Sequence, residues 1–322
     1  MYISLMIIKR EGKENKYYYT IKGVTVTDEV ILDYIKSLVI PPAYRNVEIY
    51  YVKKPKILFS GIDSKDRVQC IYSKSWCDNA RSLKLCNLIS FGETLPSIIS
   101  DMKSQMESKK PTKNKIIATL LRVITFCYFR IGNVKYEKLY TSYGISTVTK
   151  KHIKFNKNGA HISFIGKKGV LNTCTVIDPS TINALKSLVN LDQSDPHIFV
   201  YYEDGEYKHI KHTEVNDWLN KYGPFTSKLF RTFDSNIILL KLLGKDNPSA
   251  LSPNVRKKKI VNAVREVSTM VHNTSAICKK DYIDPEIIDI YLKHPVRFKK
   301  LFITPSSDTR IKFINYLKQK CK

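Results

Sequence analysis

Five places along the chain carry side chains whose types suit work on a charged ester. They are Arg130 in YFRIGNVKY, Lys167 in SFIGKKG, Arg231 in KLFRTF, the pair His272 and Asn273 in MVHNTS, and Tyr282 in AICKKDYIDP. A guanidinium stays charged and presents a planar fork that stabilises an anion. A lysine can pass a proton when its surroundings lower its pKa, and a phenol can act as a nucleophile. Each also has an ordinary explanation when taken singly. Arg130 would be a cation closing an apolar helix, and Lys167 a solvated lysine at a hairpin tip. Arg231, with Lys228 one turn earlier, would be an exposed basic pair; Asn273 would be a helix cap. Tyr282 is one of 20 tyrosines, most of which must simply pack.

The elements that must position these residues follow from periodicity. ISLMII, YYYTIKG, VEIYYVK, KILFSGID and VQCIYS read as strands, with a short helix near Asp28 to Leu38. The expected fold is α+β: a small N-terminal antiparallel β domain over residues 1–76, then a larger, mainly helical domain over 77–322 with an embedded β-hairpin sheet. Around SKSWCDNARS the periodicity lapses, which predicts a hinge, and the lysine-rich segment 103–115 predicts an exposed connection. Ile117, Leu120, Leu121, Ile124 and Tyr128 share one helical face, with Gly132 as the stop and Arg130 in the last turn. The next run, ISTVT, HIKF, AHISFI and VLNTCTVI, predicts three or four strands joined by tight turns. Helices are expected near 179–191, 213–221, 226–243, 255–272 and 285–294, with two helices after Tyr282. Arg256, Lys257, Lys258 and Lys259 crowd one helix start against its dipole, a cost that a nearby phosphate backbone would relieve, although a solvated charge cluster is the commoner explanation.

Composition narrows the partner. Lys and Arg total 54 against 29 Asp and Glu, a formal charge of +25. Such an excess repels itself unless a polyanion shares it, so nucleic acid is the leading partner. No apolar run approaches the roughly 20 residues needed to span a bilayer, and the N-terminal charges follow the apolar stretch, the reverse of a signal peptide. The seven cysteines are scattered, which argues against a disulfide framework and for a reducing intracellular setting. No His, Cys or carboxylate grouping has metal-ligand spacing, so neither metal nor cofactor is expected.

The order of the five places changes their weight. Arg, hairpin Lys, K-x-x-R, a polar residue at a helix end, then Tyr about nine residues on resembles the pattern of type IB topoisomerases and tyrosine recombinases. The chain is similar throughout to the poxvirus-type topoisomerase, including GIDSKDRVQCIY, which resembles that family's strand-rich DNA clamp. The resemblance implies that Tyr282 is the nucleophile and that Arg130, Lys167 and Arg231 are the positive groups. Poxvirus enzymes carry Gly-His-Thr-Pro where this chain reads His272-Asn273-Thr274-Ser275, and bacterial relatives carry Gly-Asn-Thr-Pro. Asn273 therefore takes the place of the family's catalytic histidine, by hydrogen bonding alone, with His272 the less favoured candidate for that role. The same likeness implies DNA-facing positions at Lys65, Arg67 and Tyr72, at Lys135, Tyr136 and Lys138, and at Lys168, Lys228 and His272. Cys70 stands where poxvirus enzymes have a tyrosine.

The activity so implied is relaxation of supercoiled double-stranded DNA by a monomer clamping the duplex. One strand is nicked through a 3′-phosphotyrosyl bond and resealed without ATP or metal, at a virion or cytoplasmic viral replication site. Two arginines would answer the growing phosphoryl charge; Lys167, its pKa lowered by Lys168 and Arg130, would protonate the leaving 5′ oxygen. A tyrosine recombinase or integrase shares this chemistry but usually opens with a helical domain and exchanges a C-terminal segment between subunits. A basic DNA-packaging protein is the third reading.

Overall fold

In the computed structural model, residues 5–13, 16–303 and 308–321 are described, so Ile3 and Ser4 of the first expected strand lie outside them. The chain divides into two compact units, Met1–Lys84 and Leu85–Lys322.

The first unit is a six-stranded antiparallel sheet in the order β3-β2-β1-β4-β5-β6. Its strands are β1 (Met6–Lys13), β2 (Lys16–Ile21), β3 (Val24–Thr25), β4 (Arg45–Tyr51), β5 (Ile57–Ile62) and β6 (Val68–Tyr72). In β4, Val47 and Ile49 are buried and alternate with less buried neighbours, the period-2 pattern of a strand with one face on a core. That face closes over helix α1 (Glu29–Ser37), whose first turn is capped by Asp28 accepting from the amides of Val30 and Ile31. Ile8, Val26, Ile35, Val47, Ile49 and Phe59 form the core of this unit.

The expected hinge is helix instead. Helix α2 (Lys74–Met106) runs through it and through the start of the expected connection, and the division between the units falls within α2. Residues 74–80 are all exposed, so no apolar stripe betrays the helix there.

The second unit is built around helix α3 (Lys113–Cys127), buried along nearly all its length. Helix α3 stops at Cys127, with Tyr128 in the left-handed region at φ 54°. Arg130 therefore lies beyond the helix rather than in its last turn, which removes the helix-dipole explanation for it. Helix α4 (Val134–Tyr140) follows, where periodicity gave no helix. The sheet has three antiparallel strands, β7 (Ile153–Asn156), β8 (Gly159–Ile165) and β9 (Leu171–Val176). The expected strand ISTVT is a single 3-10 turn at Ile145–Thr147, buried on all sides, so its apolar run marked depth rather than one face of a sheet.

Beyond α5 (Pro179–Val189) comes a hairpin that the periodicity did not announce, β10 (Val200–Glu203) and β11 (Glu206–His209). Its turn residues Asp204 and Gly205 both have positive φ, 54° and 83°. Asp-Gly was the available signal. Then follow α6 (His212–Asn220), α7 (Lys228–Leu243), α8 (Pro253–Met270), α9 (Ser275–Asp281), α10 (Pro285–Lys293), α11 (Pro295–Phe302) and α12 (Thr309–Lys320). Three helices, not two, follow Tyr282 among the described residues.

Three further expectations are corrected. Arg256 does not await a phosphate: it is buried and donates to the carbonyls of Pro248, Leu251 and Leu292. Cys127 is bonded to Cys174, joining the end of α3 to β9, although a separation of 47 residues has no local signature. Asp195, His197 and His209, which have no metal-ligand spacing in sequence, are brought by the fold to within 4.8 Å of one another at their ligand atoms. No helix among the described residues is long and apolar enough to cross a membrane.

Candidate active site

Arg130 is held by a close approach of two backbone segments. A Cβ on Gly132 would lie 2.5 Å from Thr147 Oγ1, and one on Gly144 would lie 2.4 Å from the Gly132 nitrogen. Only glycine lets these segments meet, so the amide of Ile145 reaches the Arg130 carbonyl at 2.8 Å. The guanidinium is thereby aimed at the turn between α8 and α9. Nη1 donates to the His272 carbonyl at 3.2 Å, and Nη2 donates to Asn273 Oδ1.

Arg231 comes from the first turn of α7 and is only 4% exposed. Its Nη1 donates to the Tyr282 hydroxyl at 2.9 Å and its Nη2 to the Val271 carbonyl, while its carbon centre lies 4.9 Å from the Tyr282 ring centroid. Lys228 Nζ lies 5.5 Å from the same ring. Both arginines thus lean on the three consecutive residues Val271, His272 and Asn273. Among the described residues, neither meets a carboxylate.

A buried guanidinium without a counter-anion is costly, and burial accordingly pushes the pKa of Arg231 down, with Arg130 adding repulsion. Two donors in this cluster remain without partners, Arg231 Nε and Asn273 Nδ2. Because a guanidinium only donates, Asn273 must turn its oxygen to Arg130, which leaves its amide hydrogens free. What the cluster lacks is an anion with several acceptor oxygens.

Tyr282 closes α9 and is 7% exposed. Its backbone is fixed by a residue that the sequence did not single out. Asn236, buried in α7, donates through Nδ2 to the Tyr282 carbonyl at 2.9 Å and accepts at Oδ1 from the Asp284 amide at 2.8 Å. An amide at that place in a helix carries no local signature, because besides the Thr232 carbonyl one turn back its partners lie more than 40 residues away.

His272 has a different place. Its backbone is left-handed, at φ 52°. Its Nε2 donates to the Cys127 carbonyl at 2.9 Å, and its ring packs on Phe129 at 5.0 Å. Burial pushes its pKa down to about 4, with the two arginines acting in the same direction. A histidine held neutral in the fold but protonated when unfolded stabilises above its unfolded pKa, near 6.5, and loses that contribution as pH falls toward 4. The gap between the unfolding temperatures of the wild type and His272→Gln should therefore shrink as pH drops from 6.5 to 4. A gap independent of pH would overturn this account.

The remaining expected positions stand apart from the cluster. Lys167 and Lys168 are exposed in the turn between β8 and β9, with Lys168 left-handed at φ 64°. Neither makes a hydrogen bond or ion pair with the residues of the cluster. Lys135, Tyr136 and Lys138 are exposed on α4. In the first unit Lys65 and Tyr72 are exposed, while Arg67 donates through Nε and Nη2 to Asp63 at 2.9 and 2.6 Å. That bond holds the Asp63 carboxyl below the usual range.

Comparison with known proteins bears on this arrangement. Residues 74–293 match the family described as eukaryotic DNA topoisomerase I, catalytic core. Residues 16–63 match the bacterial DNA topoisomerase IB N-terminal domain. The chain is 29% identical over 315 residues to DNA topoisomerase 1B of Acanthamoeba polyphaga mimivirus, covering 95% of this chain and 92% of that one. It is 24% identical over 237 residues to DNA topoisomerase 1B of vaccinia virus strain Copenhagen, covering 73% and 72% respectively. With DNA topoisomerase 1 of rabbit fibroma virus the identity is 25% over 266 residues, 81% of each chain.

Proposed function

Since the chain belongs to the type IB DNA topoisomerase family, we propose that it relaxes supercoiled double-stranded DNA by nicking and resealing one strand through Tyr282. The observation that carries this reading is the Arg231 guanidinium, buried without a counter-anion and donating to the Tyr282 hydroxyl at 2.9 Å.

In this reading the Tyr282 oxygen attacks a backbone phosphorus and the 5′ oxygen of the next nucleotide leaves. One phosphodiester is exchanged for another, a 3′-phosphotyrosyl bond, so the bond energy is retained and resealing consumes no nucleotide. Arg130 and Arg231 hold the non-bridging oxygens, and Asn273 Nδ2 with Arg231 Nε supplies the free donors aimed at them. Asn273, not His272, fills the position of the family's catalytic histidine, because the His272 ring is turned away to Cys127 and Phe129. Lys167 protonates the leaving oxygen after the β8–β9 turn closes on the DNA. While the linkage lasts, the free 5′ end turns and releases torsion.

DNA-facing roles for Lys65, Arg67, Tyr72, Lys135, Tyr136, Lys138, Lys168 and Lys228 complete the proposal, with the chain acting as a monomer around the duplex. Arg67 would have to share Asp63 with a phosphate.

The test is a suicide substrate whose short downstream fragment, bearing the new 5′ hydroxyl, dissociates after cleavage. A covalent adduct should form, peptide mapping should find it on Tyr282, and the broken bond should leave a 5′ hydroxyl. Attachment to another residue, or a 5′-linked adduct, would sink the reading. Relaxation should also persist in excess EDTA, since arginines do the work of a metal here; complete loss would contradict the mechanism.

A further inference from the structure

Away from the nucleophile, four titratable side chains converge between α4 and the β10–β11 hairpin. Asp195 Oδ1 lies 2.7 Å from His197 Nδ1, and Asp195 Oδ2 lies 3.2 Å from His209 Nε2. On its far side the same His197 ring meets Glu137: Nε2 lies 2.8 Å from Oε1. The two imidazoles are 4.6 Å apart, close to perpendicular. Ligand atoms from Asp195, His197 and His209 all lie within 4.8 Å of one another.

We propose that Asp195, His197 and His209 bind one zinc-class transition-metal dication, with Glu137 orienting His197 from behind. The donor set is the first reason. Two imidazoles and a carboxylate are borderline ligands that select zinc and its neighbours over magnesium or calcium, which demand many oxygens. Tetrahedral zinc with bonds of about 2.0–2.1 Å needs ligand atoms about 3.3 Å apart, a small rotation from the observed spacing.

The arrangement of Glu137 is the second reason. A metal-bound histidine characteristically donates its other ring N–H to a carboxylate, which fixes the ring and raises its basicity. His197 is placed for that: one nitrogen toward the Asp195 and His209 side, the other on Glu137. The third reason is what is left unsatisfied. Glu137 Oε2 and His209 Nδ1 are buried without hydrogen-bond partners. Among the described residues, no lysine or arginine forms an ion pair with Asp195 or Glu137. A dication would balance the two partly buried carboxylates, which meet the two imidazoles and the His197 amide.

The consequence falls on α4. Glu137 is that helix's inward residue, while Lys135, Tyr136 and Lys138 face solvent on the same two turns. A metal at the cluster would fasten α4 to the loop and hairpin beneath it, and so set the pose of those three side chains. This is a positioning role and leaves the chemistry at Tyr282 untouched, so it stands or falls separately from the proposed nicking reaction.

The experiment is calorimetric titration of the metal-stripped full chain with Zn²⁺ alone. One ion per chain should bind. Zn²⁺ should raise the unfolding temperature by a few degrees, and Mg²⁺ should not. X-ray absorption of the wild-type complex should show nitrogen and oxygen neighbours and no sulfur. His209→Ala and Asp195→Asn should each abolish the binding, and Glu137→Gln should weaken it about 10–100-fold. Absence of stoichiometric binding, sulfur scattering from the Cys86 and Cys321 thiols, which lie 3.8 Å apart, or binding unchanged in His209→Ala would overturn the proposal. The wild-type spectrum keeps the test decisive if a variant fails to fold.

Discussion

Tyr282→Phe should abolish the covalent DNA adduct and stop relaxation while leaving DNA affinity within a few-fold of wild type. The substitution removes one oxygen. That oxygen is the proposed nucleophile, and loss of a covalent nucleophile in other enzymes lowers the rate on the order of 10⁴–10⁶-fold. DNA affinity rests instead on the many cations that release counterions from the duplex, none of which is altered. A second signature separates the active-site role from a packing role. The same hydroxyl accepts from Arg231 Nη1, so its removal strands a buried charged donor and should cost about 1–3 kcal/mol of stability. Bound DNA phosphate should restore part of that loss, because it supplies the missing acceptor. Relaxation surviving in Tyr282→Phe at even one-hundredth of the wild-type rate would end the proposed mechanism.

Arg231→Lys and Arg130→Lys should each slow single-turnover cleavage by about 10²–10³, the usual effect of removing one preorganised donor to a developing anion. Lysine keeps the charge and loses the fork. The Arg231 fork spans the Tyr282 hydroxyl and the Val271 carbonyl at once, and that of Arg130 spans Asn273 and the His272 carbonyl. An ammonium on a flexible stem cannot hold both bonds of either pair in the same geometry. The deficit should therefore appear in the cleavage rate and not in the dissociation constant for DNA. A loss below ten-fold in both variants, or a loss confined to binding, would mean that charge alone suffices and the fork has no part.

Much of this is legible in the sequence alone. The β-rich first unit announced itself because β4 and its neighbours bury one face, and alternation is the direct image of that burial. Arg130, Arg231 and Tyr282 could be singled out only through their order along the chain, since each has an ordinary structural explanation alone. What stayed hidden has a physical reason in each case. The start of α2 is exposed on every side, so it carried no apolar stripe. The Ile145–Thr147 turn is buried on every side, so its apolar run imitated a strand. Asn236, the Cys127–Cys174 bond and the Asp195, His197 and His209 cluster depend on residues brought together by the fold, and no local spacing encodes such a meeting. Arg256 misled for the opposite reason. Its neighbours in sequence suggested a basic surface, whereas its partners are carbonyls at the ends of other elements.

One detail of the site constrains how it can be altered. Both cationic side chains rest against the same short bend after α8, and the backbone of Tyr282 is anchored by an amide on the helix that also bears Arg231. Any shift of that bend or that helix moves several participants in concert. The assembly should accordingly behave as one mechanical part, intact or absent, with little room for graded adjustment of a single member. Substitutions that tune the rate without destroying it belong on the exposed β8–β9 turn, whose Lys167 makes no hydrogen bond to the cluster.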